Sequence, residues 1–375
     1  MIDVTLSEVC IAKFSKEIAE KIVEPNLQKY LDPKNQKQWG LAKYEIDFYN
    51  YVRQKALSFL RMKPDEIEAE FKRLLEDHLE QVVYASGSFP KIRRHLAESD
   101  PKIDIFRREW AEHEKSLASS KTNAKKGPKK SKRRACKCQF CRVSTNARAI
   151  FKWDAFSRKS DQGGVANGAA EFVKDVGFVV CPYCSRNYIA PISDGDSDFY
   201  RPDLDHFLAK SIYPYFSLCI YNLIPSCSAC NCRIKGDVDF MNEGYFHPYQ
   251  DVVPEGLFSL KGPQLLEGEK VDPNSVEIYL NTTANEKARK SADFFKLRSA
   301  YQIHKTEICD FVSSLRLIPD QLLEERAKLL SISVDTLKMT IGRSSKHDLL
   351  TYRSRPLGKL MRDIYHFTTV RTTKI

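Results

Sequence analysis

Apolar residues fall at helical spacing over the first third of the chain and again over the last. The clearest stretch follows Pro64-Asp65-Glu66, where Ile67, Phe71, Leu74, Leu75, Leu79 and Val82 share one face. A proline at the start and acids in the first turn suit a helix N-terminus. The pattern predicts a helical region over residues 1–118. Helical spacing returns in 251–375, after a Pro- and Gly-rich connection. There Phe294, Leu297, Tyr301, Ile308, Phe311, Val312 and Leu315 form an apolar stripe, and Pro319-Asp320-Gln321 opens a further helix. Between these regions the periodicity fades. Residues 119–144 combine a basic linker with a cysteine cluster. Residues 145–250 begin with a mixed stretch that contains Gly163-Gly164, a turn signal, and Phe178-Val179-Val180, a short run suited to a strand. They then become dense in Cys, Tyr, Pro and Asn, as a small metal-organised module would be. No internal repeat is present. The expected class is α+β: mainly helical, with a central irregular module.

Composition narrows this picture. The 375 residues are 42% hydrophobic, enough for two or three domains at ~150 residues each. No run of ~18 apolar residues suggests a membrane span. The opening MIDVTLSEVCIAKFSKEIAEK alternates apolar and charged residues and lacks the continuous apolar core of a signal peptide. A cytoplasmic protein is expected. The net charge of +11 is concentrated: residues 121–134, KTNAKKGPKKSKRR, hold eight positive charges and no acid, so the rest of the chain carries only +3. Such a segment reads as a solvated linker or as a phosphate-gripping arm, and the two are compatible.

In a reducing compartment the eleven cysteines do not form a disulfide framework. Cys10, Cys219 and Cys309 stand apart and read as small buried hydrophobes. Cys181-Pro-Tyr-Cys184 and Cys227-Ser-Ala-Cys230 are different: two C-x2-C hooks separated by 42 residues, the pattern of a closed tetrahedral zinc site. A thioredoxin-like reading of CPYC needs a helix directly after it, and SRNYIAPISDGDSD is a poor helix. Cys232 is near the second hook at the wrong spacing. Cys136, Cys138 and Cys141 supply three more thiols with no evident fourth ligand, so a second zinc and loose linker thiols both stay open.

The stretch spanning the second hook carries Asp205-His206, Asn222-Leu223, Cys227-x2-Cys230-Asn231 and Lys235. Residues 181–237 thereby resemble the HNH endonucleases. LDHFLAKSIYPYFSLCIYNLIPSCSACN is especially similar to the HNH proteins of anti-phage defence, the Septu PtuB-like group. The resemblance implies a ββα-metal module that cuts phosphodiester bonds, in DNA more than RNA. It implies His206 as general base, Asp205 as ligand of a catalytic Mg2+ or Mn2+, and Asn222 as support for the loop or the His206 ring. Asn231 stands where the motif's last histidine is expected, and its amide oxygen suits the same hard cation. Lys235, Arg233, Lys210 and Arg186 would contact phosphates. The resemblance also implies an ATPase subunit as partner; the chain has no GxxxxGK[ST] of its own, so any ATP control would come from that other chain. The helical flanks would dock it or serve only as scaffold.

Neighbouring readings remain open. His247 could be structural or part of the active site. Tyr213, Tyr215 and Phe216 could stack on bases or fill the module's core. The competing functions are a non-catalytic zinc-ribbon module that binds nucleic acid, and a redox protein built on CPYC.

Overall fold

Short local signals start the helices. Ser7 Oγ accepts the Cys10 amide ahead of Glu8–Ile18, Asp32 caps Pro33–Trp39, and Asn285 accepts the Ala288 amide ahead of Glu286–Phe294. Pro64 is the first residue of Pro64–Asp77, followed by Asp65 and Glu66. The apolar face expected beyond residue 77 is real but broken: His78 leaves helical geometry, and a second helix, Leu79–Ala85, carries Val82 into the core. The C-terminal stripe is broken too. Lys296 adopts a left-handed φ of 55°, separating Glu286–Phe294 from Leu297–Tyr301, and Lys305–Leu317 follows. Asp320–Leu329 is helical as read from the sequence.

The computed structural model describes residues 1–122, 136, 138–157, 165, 167–193, 198–262, 271–281, 285–317, 320–334, 336–337 and 352–372. Gly163-Gly164, Pro319 and nearly all of the basic segment lie outside them. Within them the chain is mainly helical, and its strands form three antiparallel pairs: β1 (Ile192–Ser193) with β2 (Asp198–Tyr200), β3 (Asp203–His206) with β4 (Leu223–Ser226), and β5 (Phe258–Lys261) with β6 (Glu277–Leu280). None of the helices in the described residues is long and apolar enough to cross a membrane.

One hydrophobic core joins the N-terminal helices, the central module and the C-terminal helices, running through Phe14, Phe71, Phe140, Phe172, Tyr215, Phe258 and Leu360. Buried polar links fix how the parts meet. The Glu45 carboxylate, fully buried, accepts Arg142, Asn146 and the Ala42 amide, docking helix Gln139–Ile150 on helix Lys43–Gln54. Asp239 accepts the Tyr213 hydroxyl at 2.8 Å and pairs with His95 at 2.8 Å, tying the N-terminal helices to the module. On the other side the Tyr301 hydroxyl donates to the Cys184 carbonyl at 2.6 Å, and Phe295 stacks on Tyr183 with centroids 4.7 Å apart. A charge as buried as Glu45 persists only because each oxygen has partners.

Candidate metal centre

The two hooks are built differently and converge. Val180 bridges Tyr188 in antiparallel fashion, and between them the chain turns at Ser185, which takes a left-handed φ of 53°. The Cys181 carbonyl accepts the Ser185 amide at 2.8 Å, so Cys181 and Cys184 face the same way. The second hook leaves β4 and enters a helical segment, Ala229–Lys235, where the Cys227 carbonyl accepts the Asn231 amide at 3.0 Å. The sulfurs of Cys181, Cys184, Cys227 and Cys230 lie within 4.8 Å of one another, and all four residues are buried. Asn187 Nδ2 donates to Cys227 Sγ at 3.3 Å. Burial, followed by the hydrogen bonds with Cys184 and Cys227, pushes the Cys181 thiol well up, and four thiolates packed this closely out of water call for a cation between them. The four-sulfur set fits zinc.

The staple grips an acid. Asp205, on β3 and only 2% exposed, accepts the Tyr183 hydroxyl at 2.6 Å and the Lys235 ammonium at 2.9 Å. Tyr183 lies inside the first hook, and Lys235 ends the helical segment that starts at the second. Each cysteine hook therefore supplies one partner to the same carboxylate. Lys235 also donates to the His206 carbonyl at 2.7 Å and is 1% exposed. This corrects the expectation that Lys235 reaches a phosphate: a buried lysine needs a counter-charge, and Asp205 provides it. The expected pair of oxygen donors, Asp205 and Asn231, does not fit a divalent cation as arranged. Both oxygens of Asp205 are engaged and one already faces an ammonium, while Asn231 is half-buried in the segment opposite.

His206 follows Asp205 on β3, opposite Leu223 in the register, and points elsewhere. Its Nε2 lies 3.0 Å from the Ser217 carbonyl, and Trp153 packs edge-on with centroids 4.5 Å apart. A carbonyl only accepts, so Nε2 carries the proton and Nδ1 keeps the lone pair. Burial, with the charges of Lys210 and Lys235, pushes His206 down to about 3, and the imidazole is neutral at physiological pH. Asn222 works on the loop. Its Oδ1 accepts the Leu208 amide at 2.7 Å, and its Nδ2 donates to the carbonyls of Leu208 at 3.2 Å and Phe216 at 3.0 Å. These bonds close residues 208–222 and place the Ser217 carbonyl against His206.

Among the other cations expected at phosphates, Lys210 is exposed above the Trp153 ring and Arg233 is exposed on the segment after the second hook. Arg186 is half-buried, with Nε 3.1 Å from His304 Nε2. His247 is in the core: Nδ1 accepts the Tyr249 amide at 3.2 Å, and the ring packs on Phe207. Tyr213, Tyr215 and Phe216 are core as well. Cys232 is exposed and donates to Asp203 Oδ2 at 3.3 Å, outside the sulfur cluster. His113 is a residue the sequence did not single out. It joins Cys136, Cys138 and Cys141 in a second group of metal-ligating side chains, 23 positions upstream of the nearest cysteine and with no spacing motif to signal it.

A stretch of 132 residues is 29% identical to protein ea31 of Escherichia phage lambda, covering 34% of this chain and 40% of that protein. No family model and no solved structure matches the chain.

Proposed function

We propose that this protein is a metal-dependent endonuclease of the HNH type, hydrolysing phosphodiester bonds in DNA, with a role in anti-phage defence beside an ATPase subunit. The observation that carries the reading is the state of His206. Its Nε2–H is held by the Ser217 carbonyl, its Nδ1 lone pair is retained, and the ring is neutral. That is the tautomer from which an imidazole takes a proton from water through Nδ1; a value of about 3 makes it a weak base until the negative charge of a bound phosphate raises it. Further support comes from the order of elements: an antiparallel β3–β4 pair, then a helical segment, with a four-cysteine cluster clamping both ends.

In this reading His206 Nδ1 removes a proton as water attacks phosphorus, and the P–O3′ bond breaks, the departing O3′ taking a proton from solvent water. Trp153 and the Ser217 carbonyl fix the ring, and Asn222 fixes the loop that presents Ser217. Lys210 and Arg233 supply positive charge to the strand. Mg2+ or Mn2+ belongs to the reading through the resemblance and requires Lys235 to leave Asp205 Oδ1. When bound, such a cation would polarise the scissile phosphate. Zinc in the four-cysteine cluster is structural.

The second reading, a non-catalytic module that binds nucleic acid, draws on one specific observation: the buried Asp205–Lys235 pair, which occupies the carboxylate meant for the metal. Plasmid cleavage separates the two. Wild type and His206→Ala are compared with Mn2+, with EDTA, and with a candidate ATPase present. The nuclease reading expects cutting that EDTA stops and that His206→Ala lowers by about 10²–10⁴-fold, with zinc content and circular dichroism unchanged. Full activity in His206→Ala sinks the proposed base. DNA retention without cutting under every condition favours the binding module.

A further inference from the structure

Outside the central module, one side-chain cluster has no role in the proposed chemistry. Its parts come from two helices. Ile103–Thr122 carries Trp110 and His113 one turn apart, and Gln139–Ile150 begins directly after Cys138. Aromatic packing sets the distance between them: Trp110 lies 5.2 Å from Phe140 and 4.8 Å from His113, centroid to centroid, and Tyr84 packs edge-on against both Phe106 and Phe140. The docking of helix Gln139–Ile150 on Glu45 fixes the other side. Cys138 is the N-cap of its helix and Cys141 lies in its first turn.

The result is convergence on one nitrogen. His113 Nδ1 is 3.2 Å from Cys138 Sγ, 3.6 Å from Cys136 Sγ and 3.8 Å from Cys141 Sγ. A single imidazole nitrogen shares one proton with one sulfur, so hydrogen bonding does not account for three. A tetrahedral zinc with N at ~2.0–2.1 Å and S at ~2.3 Å sets its nitrogen and sulfur ligands about 3.6 Å apart. The four ligand atoms all lie within 4.8 Å of one another. His113 is buried, whereas the three cysteines are half-exposed, beside a surface groove of about 340 Å³ lined by Glu109, Glu112 and Ser116 as well.

We propose that His113, Cys136, Cys138 and Cys141 form a second zinc site, a staple of three thiolates and one imidazole that joins helix Ile103–Thr122 to the start of helix Gln139–Ile150. The metal brings together the ends of the 22 residues between His113 and Cys136, the stretch that includes the basic run 121–134. The chemistry is structural, since four protein ligands close a tetrahedral zinc. The half-exposed sulfurs make this zinc the more exchangeable of the two. The proposal does not depend on nuclease activity.

Metal counting on the full-length protein, purified from zinc-supplemented medium, tests it. Two zinc ions per chain are expected, falling to one in His113→Ala and in Cys136→Ser, while His113→Cys keeps two. Cobalt substitution adds a signature. The d–d bands of the wild type are those of one all-thiolate site plus one site with three thiolates and an imidazole. His113→Cys raises the thiolate-to-cobalt charge-transfer intensity by about one ligand. One zinc per chain, unchanged by His113→Ala and Cys136→Ser, overturns the proposal. So does a second zinc that persists in both variants. If His113→Ala is insoluble, the count in Cys136→Ser decides.

Discussion

The two cysteine centres differ in depth, and depth separates their roles. All four residues of the central cluster are buried, and its two hooks hold Tyr183 and Lys235 on Asp205. The peripheral cluster has one buried ligand, His113, and three half-exposed sulfurs, and it joins two helices that aromatic packing already aligns. Removing metal from the first leaves four thiols and an ion pair without a framework. Removing it from the second leaves two helices still packed through Trp110, Phe140 and Tyr84. With zinc in both, as proposed, the same element would serve as a folding nucleus in one place and a clip in the other, according to how much of the surrounding structure exists without it.

The sharpest way to break this comparison is to remove one sulfur from each centre. Cys184→Ser is expected to cost more than the stability of the module, with loss of central zinc and of a cooperative thermal transition. Cys138→Ser is expected to lower the melting temperature by only a few degrees. Equal shifts by calorimetry, with zinc content measured in parallel, would show that depth does not distinguish them.

The next effect isolates the buried ion pair that the central hooks hold. Lys235→Ala leaves the Asp205 carboxylate inside without a counter-charge and is expected to cost about 3–5 kcal/mol in urea unfolding. Asp205→Asn combined with Lys235→Met should recover much of it. A loss below about 1 kcal/mol for Lys235→Ala would mean that Asp205 is solvated or already pairs with another cation.

The smallest effect concerns His247, at the back of the central module. Burial pushes it down to about 3 in the folded protein, against an ordinary value near 6.5. The unfolded chain takes up a proton as pH falls below ~6.5 and the folded chain does not. Stability from this residue is thus complete above ~6.5 and declines as pH falls toward 3, by about 2 kcal/mol at pH 5. His247→Gln should flatten the dependence of melting temperature on pH between 6.5 and 5. An unchanged slope would place the titrating groups elsewhere.

Particular residues show what could be read in advance. The helix at Pro64 was legible because its cap, its first-turn acids and its apolar face are all local. Its end was not, since nothing in Asp77-His78-Leu79 announces a break. The central cluster was legible because a C-x2-C hook carries its own geometry. The Asp205–Lys235 pair was not: thirty positions separate the two, and a lysine in a basic stretch reads as a surface cation until its burial is known. His113 was hidden for the same reason, in a helix on the far side of the basic run from its cysteines.

The sequence by itself determined where the helices at Pro64 and Asp320 begin, that the centre of the chain carries two thiol hooks, and which residue types stand beside them. These depend on capping, periodicity and short spacing, interactions that reach a few residues along the chain. Only the tertiary structure decided that Tyr183 and Lys235 close on Asp205, that the Ser217 carbonyl sets the tautomer of His206, and that His113 completes a second ligand set. Each of these depends on two segments meeting at a distance fixed by core packing, and packing is a property of the folded chain as a whole.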